Sequence, residues 1–307
     1  MQRQEKPFPG SAEPDDFWLD IVTRPELNRS KHVNFENALS PENRFDPGAR
    51  GFSRKNAWWL AEAALLAYWP DDKARGIYTA DTGLECICLS QDATQCHLAI
   101  AKDFAMIAFR GTQSNQWKDL FDDACFVLTP WQGDSGGQVH LGFKAAFERI
   151  RPLLQEAIDR HAPDRPLWIT GHSLGGTLAV LAADALRNVQ GVYTAGCPRV
   201  GDHVFASRFD QRFAEQSFRY VNDTDIVTHV PPGLGPYAHV EAVRGIDERG
   251  EVSEGESSLL HFLDAIFGSP ALFLHVLKGG LPLPDALKDH APVLYAIHTW
   301  NDLVKHP

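Results

Sequence analysis

No uninterrupted apolar run in this chain reaches about 18 residues, so no membrane span is predicted. The start, MQRQEKPFPG, lacks the apolar stretch of a secretory signal. Basic residues are in the minority: 29 Lys and Arg stand against 40 Asp and Glu, a formal net charge of −11. An acidic surface repels phosphate backbones, so a nucleic-acid partner is not expected. It gives no long-range attraction to anionic lipid either, and any meeting with lipid would go through apolar contact. Cysteine is scarce, with Cys86, Cys88, Cys96, Cys125 and Cys197 odd in number and irregular in spacing. Cys86 and Cys88 sit two apart, on one face of a strand, and no paired CxxC occurs, so no zinc site is predicted. Buried free thiols are the plainer reading in a chain this large. They favour a reducing compartment, the cytoplasm, while secretion of a processed chain stays open. HExxH, EF-hand and P-loop signatures are all missing, so no metal, cofactor or nucleotide is expected. Internal repeats and low-complexity tracts are absent too.

The 307 residues, 44% hydrophobic and 22% charged, suffice to bury a sizeable core. Residues 1–50 are polar and punctuated by Pro7, Pro9, Pro14, Pro25, Pro41 and Pro47, and read as an N-terminal extension. Residues 51–307 read as one domain. AWWLAEAALLAYW, from Ala57 to Trp69, predicts an apolar helix ending at Pro70. Leu84–Leu89 and Phe104–Phe109 predict strands. Phe143, Phe147, Ile150, Leu154 and Ile158 recur at helical spacing, with Pro152 as a kink. Pro166–Thr170, Val192–Ala195 and Phe218–Asn222 predict further strands, and residues 174–188 an amphipathic helix. Strands alternating with helices imply an α/β fold, a mostly parallel central sheet with helices on both faces.

The strongest local signal is Gly171-His172-Ser173-Leu174-Gly175, a G-x-S-x-G between an apolar strand and an amphipathic helix. That context forces a tight, strained turn, where glycines relieve the crowding of strand on helix. The turn presents Ser173 Oγ at the carboxyl end of the sheet, with the helix N-terminus aimed at developing negative charge. A serine hydroxyl needs a base to attack an ester, and the base needs a group to orient it. The chain order in such folds is serine, acid, histidine. The stretch Arg219–Pro232 (RYVNDTDIVTHVPP) offers Asp223 and Asp225, which residue chemistry alone does not separate. His229, His239, His261, His275, His290, His298 and His306 all follow. His229 is too near the acid to reach back, and His290 stands in a suitable loop context, though physics alone does not single it out.

A wider motif set adds to this. FRGT (Phe109–Thr112) is followed by Trp117 and Asp119-Leu120, VHLGF (Val139–Phe143), GHSLGG (Gly171–Gly176), TAGCPRVGD (Thr194–Asp202), NDTDIVTHVPP (Asn222–Pro232) and DHAPVLY (Asp289–Tyr295). In this order, from about Ala57 onward, the chain resembles the class 3 lipase family, the fungal-lipase-like α/β-hydrolases. The resemblance implies the α/β-hydrolase fold and a catalytic triad at Ser173, Asp225 and His290. It also implies an oxyanion hole from Thr112 and the Leu174 backbone N–H. The expected activity is that of a serine carboxylic-ester hydrolase working through an acyl-enzyme, a triacylglycerol lipase acting on acyl ester or lipid. The same fold also serves phospholipase A1 and short-chain or feruloyl-type esterases. A scaffold that keeps the fold without catalysis is the alternative of another class.

In the resembling lipases a lid follows the oxyanion strand. Here that position is Gln113–Asp123, where Trp117, Leu120 and Phe121 make an apolar face for transient contact with a lipid surface. The apolar stretch Ser257–Gly280 is a second lid candidate, with core packing the plainer reading of its Leu259–Leu277 part. His140 is expected to be a structural hydrogen-bonding residue. Arg110 and Asp119 are expected to support the oxyanion loop, while Asp202 and Glu241 show no catalytic spacing.

Overall fold

A computed structural model describes residues 4–9, 32–111, 126–222, 225–231, 235–240, 242–255 and 288–307. Among the described residues two helices come first, α1 (Arg54–Leu66) and α2 (Asp71–Ile77), followed by a π-helical turn at Tyr78–Thr82. The strands β1 (Glu85–Gln91), β2 (Thr94–Ile100) and β3 (Ala105–Phe109) form an antiparallel meander. Next come β4 (Leu128–Pro130), β5 (Gln138–His140), helix α3 (Leu141–His161), β6 (Leu167–His172), helix α4 (Leu174–Ala185), β7 (Val189–Ala195) and β8 (Gly201–Asp202). Helix α5 (His203–Phe213), β9 (Ser217–Asn222), a 3-10 turn at Ile226–His229, β10 (Tyr237–Ala238), β11 (Ala242–Ile246), β12 (Val252–Glu254) and helix α6 (Pro292–Lys305) complete the described elements.

The main sheet has the order β1-β2-β3-β6-β7-β9-β11-β12. Its middle, β3-β6-β7-β9-β11, is parallel throughout, and the antiparallel pairings lie at the two edges. A smaller antiparallel sheet, β10-β8-β5-β4, stands apart from it.

Strand alternation divides the interior into two cores. Ala105, Ile107 and Phe109 of β3 join Leu167 and Ile169 of β6 beneath α3, α4 and α5. Met106 and Ala108, with Trp168, Tyr193, Phe218 and Tyr220, face the opposite way, onto α1 and α6. Successive side chains on a strand point to opposite faces, so a strand covered on both sides is apolar at every position. Helices therefore cover both faces of a mostly parallel sheet, and the architecture is α/β as the alternation of elements predicts.

The second core reaches back into the first 50 residues. Phe35 and Phe45 are buried in it against Trp59, with ring centroids 5.2 and 5.7 Å away. The Trp59 indole N–H donates to the Asn43 carbonyl at 2.8 Å, which satisfies its one polar atom. Residues 4–9 lie along α6, where Trp300 Nε1 donates to the Gln4 carbonyl and the Lys6 N–H to Asn301 Oδ1.

Element ends shift by a few residues from the sequence expectation, and each shift has a local cause. Helix α1 begins earlier because Ser53 caps it, its side chain accepting from the Asn56 N–H. It stops at Leu66, and Pro70 instead precedes α2. Helix α3 runs from Leu141 to His161 with Pro152 inside it. Helix α4 ends at Ala185 because Leu186 turns extended.

Candidate active site

Three neighbouring parallel strands, β6, β7 and β9, end at the same edge of the sheet, where crevices of open α/β folds lie. The first leads directly into the turn at Ser173. Its φ of 60° and ψ of −131° are a strained conformation for a residue with a side chain. Neighbouring glycines permit it: a Cβ on Gly171 would lie 2.1 Å from the Gly175 carbonyl oxygen, and one on Gly175 2.2 Å from that of Phe109. The Ser173 N–H donates to the Ala195 carbonyl at the end of β7, and the Ser173 carbonyl accepts from the Gly176 N–H. The serine is thus fixed from two sides, with Leu174 as the first residue of α4. Gly111, at the end of the FRG sequence, lies against the turn, where its Cβ would stand 3.2 Å from Ser173 Cβ.

Asp225 follows β9 and caps the 3-10 turn, its Oδ1 accepting from the Val227 N–H at 3.0 Å. Its carboxylate is fully buried and also accepts from the Tyr295 hydroxyl at 2.5 Å. His290, just before α6, is buried as well, and its Nδ1 lies 2.7 Å from Asp225 Oδ2 and 2.8 Å from Oδ1. A carboxylate only accepts, so Nδ1 carries the proton and Nε2 the lone pair.

The imidazole of His290 is bracketed by the serine's own neighbours. The ring of His172, the residue before Ser173, is 4.4 Å from that of His290, centroid to centroid. Gly196, the residue after the carbonyl that holds the Ser173 N–H, has φ +57°. A Cβ there would lie 2.8 Å from Asp225 Oδ2 and 2.9 Å from His290 Nδ1. The structure therefore pairs Asp225 with His290 and sets that pair against His172, the residue before Ser173. Thr112 lies outside the described residues, as do Asp119, Glu241 and both lid candidates, Gln113–Asp123 and Ser257–Gly280. Asp223, the rival acid, is also outside them.

Supporting residues that the sequence reading did not single out surround this group. His172 is held neutral, its pKa well below the usual value because of burial and the adjacent His290. Its Nε2 is 2.7 Å from the His290 carbonyl, which only accepts, so Nε2 carries the proton. Nδ1 then accepts from the Tyr68 hydroxyl at 2.9 Å. Tyr295 donates to Asp225 and accepts from the Asn222 N–H, joining α6 to the end of β9. Arg199 is buried and donates to the carbonyls of His229 at 2.6 Å and Pro231 at 2.9 Å, fastening the segment that starts at Asp225. Only Tyr295 and Arg199 left a sequence signal, in DHAPVLY and CPRVGD. Tyr68 sits at the end of an apolar helix, where nothing marks a hydroxyl as special.

The remaining polar residues have structural places. His140 caps α3, accepting from the Gly142 N–H. Asp202 caps α5 through the Phe205 N–H. Arg110 bonds Gln95 on β2.

A serine on a strained strand-to-helix turn and a histidine hydrogen-bonded to a buried aspartate, on a sheet of this topology, are the arrangement of the α/β-hydrolase fold. Sequence comparison agrees: residues 106–234 match the family model of the class 3 lipases, a stretch shorter than half of the chain. The match includes Ser173 and Asp225, whereas His290 lies beyond it. Among curated relatives, a lipase of Rhizopus niveus is 33% identical over 146 residues, which cover 43% of this chain and 36% of that lipase. The aligned part is thus little more than a third of the relative's length. Among solved structures, the triacylglyceride lipase of Rhizomucor miehei superposes with a TM-score of 0.55 at 23% identity, covering 73% of this chain and 95% of that one. A further fungal lipase gives a TM-score of 0.59 at 22% identity, over 81% and 97% of the two chains. At these identities the superpositions establish the fold, which is shared across nearly the whole of both fungal chains.

Proposed function

We propose that this chain is a serine carboxylic-ester hydrolase that cleaves acylglycerols, a triacylglycerol lipase. The observation that carries the reading is the convergence at one sheet edge of the strained Ser173 turn and the buried Asp225–His290 pair. The naming of its relatives as lipases, and of one fold neighbour as a triacylglyceride lipase, supports the substrate class.

In this reading His290 Nε2 takes the Ser173 proton as Oγ attacks the ester carbonyl. Asp225 keeps the imidazole in the required tautomer and stabilises its positive form. The Leu174 N–H, at the start of α4, and Thr112 bind the oxyanion. The imidazolium returns the proton to the departing alcohol. Water, activated by the same imidazole, then releases the fatty acid and restores the serine. His172 fixes the His290 backbone through its carbonyl and, being neutral, adds no positive charge to oppose the imidazolium. Contact with a lipid surface would bring substrate to the site, and an acidic chain would make that contact through apolar side chains rather than charge.

A fluorophosphonate probe and a substrate panel test the proposal together. The expected outcome is one covalent adduct at Ser173, abolished in Ser173→Ala. Hydrolysis of emulsified long-chain triacylglycerol should exceed that of soluble short-chain esters. Absence of the adduct in a folded protein would remove the enzyme reading. An adduct with preference for phospholipid or for short-chain esters would keep the chemistry and overturn the triacylglycerol assignment.

A further inference from the structure

A second cluster of reactive side chains lies on β1 and β2, the outer strands on one side of the sheet. Cys88 on β1 and His97 on β2 are directly paired across the antiparallel ladder, so their side chains share a face. Cys86, two residues before Cys88, shares that face too, and the two Sγ atoms are 3.9 Å apart. Asp71, the first residue of α2, completes the group. Its carboxylate, the Cys88 thiol and the His97 imidazole place their donor atoms within 4.8 Å of one another. The Asp71 backbone carbonyl also lies 3.7 Å from Cys88 Sγ.

Two further observations point to a ligand. His97 is only 3% exposed, and its Nδ1 is buried with no hydrogen-bond partner. The Tyr78 hydroxyl, whose ring meets that of His97 edge-on at 5.9 Å, is likewise buried without a partner. Buried polar atoms are nearly always satisfied, so two orphans around a thiol–imidazole–carboxylate group need an explanation.

We propose that Asp71, Cys88 and His97, with Cys86 as the fourth donor, form a binding site for a thiophilic divalent metal ion of the zinc class. The donor set decides the class. Thiolate and imidazole select zinc-like ions over magnesium or calcium, which demand oxygen ligands. The spacing agrees: tetrahedral metal–sulfur bonds of about 2.3 Å put two sulfurs about 3.8 Å apart, close to the 3.9 Å between Cys86 and Cys88. Ligand access is open, since the Asp71 side chain is 55% exposed and, among the described residues, is paired with Arg75 at 3.8 Å. On binding, the carboxylate leaves Arg75 and swings inward, both thiols give up their protons to solvent, and the ion ties α2 to the edge hairpin β1–β2. The site has no CxxC spacing, because a ladder supplies the histidine.

The test uses the full chain, reduced and dialysed against chelator, then titrated with Co2+ and back-titrated with Zn2+. The expected result is one equivalent of Co2+ with thiolate-to-cobalt charge-transfer absorption and the intense visible bands of a tetrahedral ion, all removed by Zn2+. Cys88→Ser and His97→Gln should abolish that spectrum, and Cys86→Ser should diminish the charge-transfer band. Asp71→Asn, at an exposed position, should weaken Co2+ at least about tenfold. Cys96→Ala, on the other face of β2, should leave the titration unchanged. Weak binding without a thiolate band, or binding indifferent to both Cys88→Ser and Asp71→Asn, would mean an adventitious ion only and would overturn the proposal.

Discussion

At the scale of single residues, the candidate site depends on one position that carries no side chain. Gly196 occupies a left-handed conformation and lets the carboxylate of Asp225 and the ring of His290 approach its backbone. A methyl group there would push on both partners at once, at 2.8 and 2.9 Å. If the pair acts in catalysis as proposed, displacing it by a fraction of an ångström is costly because the reacting geometry tolerates little error. Gly196→Ala should therefore lower kcat/KM for an ester substrate by about 10²-fold while far-UV circular dichroism stays unchanged. Activity within a few-fold of the parent would show that the imidazole does not depend on this close approach.

At the scale of elements, the loop after β9 is held by a cation from another strand's end. Arg199 follows β7 and bonds two carbonyls of the segment 225–231, while its own N–H donates to Val230. Hydrogen bonds to a charged donor contribute about 1.5–3 kcal/mol each, and removing the guanidinium leaves buried carbonyls without it. Arg199→Ala should lower the unfolding free energy by about 2–3 kcal/mol. It should also reduce kcat more than it raises KM, because the segment it steadies holds Asp225 rather than substrate. Denaturant titration and steady-state kinetics check the two parts separately. An unchanged denaturation midpoint would mean that water or another donor replaces the arginine without loss.

At the scale of the whole molecule, acid should be the weak side of stability. Burial pushes His140 and His298 down from 6.5 to about 4, and burial with the adjacent His290 holds His172 well below 6.5. Below about pH 6.5 the unfolded chain protonates these histidines while the native state keeps them neutral. The unfolded state then binds more protons, so stability falls as pH falls. The loss begins near 6.5 and, for His140 and His298, levels off below about 4, where the native state protonates too. Each such histidine contributes a slope of up to about 1.4 kcal/mol per pH unit. Urea midpoints measured across that window should drop steadily, and His298→Gln should flatten the slope. A midpoint constant from neutral pH to about pH 4.5 would contradict the assignment of neutral buried histidines.

The sequence alone was enough for whatever is written within ten or twenty consecutive residues. The apolar runs of β3 and β6, the helical spacing of α3 and α4, and the G-x-S-x-G between strand and helix each carry their own signal, because backbone geometry fixes periods of 2 and 3.6. The mostly parallel sheet followed from their alternation. The strand β2 was not legible, since Thr94, Gln95 and His97 interrupt its apolar pattern, nor were the short strands of the second sheet. Residue chemistry left Asp223 and Asp225 level and did not single out His290. The tertiary structure brings Asp225 and His290 together across 65 residues, and His172 to His290 across 118. Contacts of that separation are decided by strand order and by the docking of α6, which no local pattern encodes. The pairing of Cys88 with His97 is likewise a matter of ladder register, a property of two strands and not of either one.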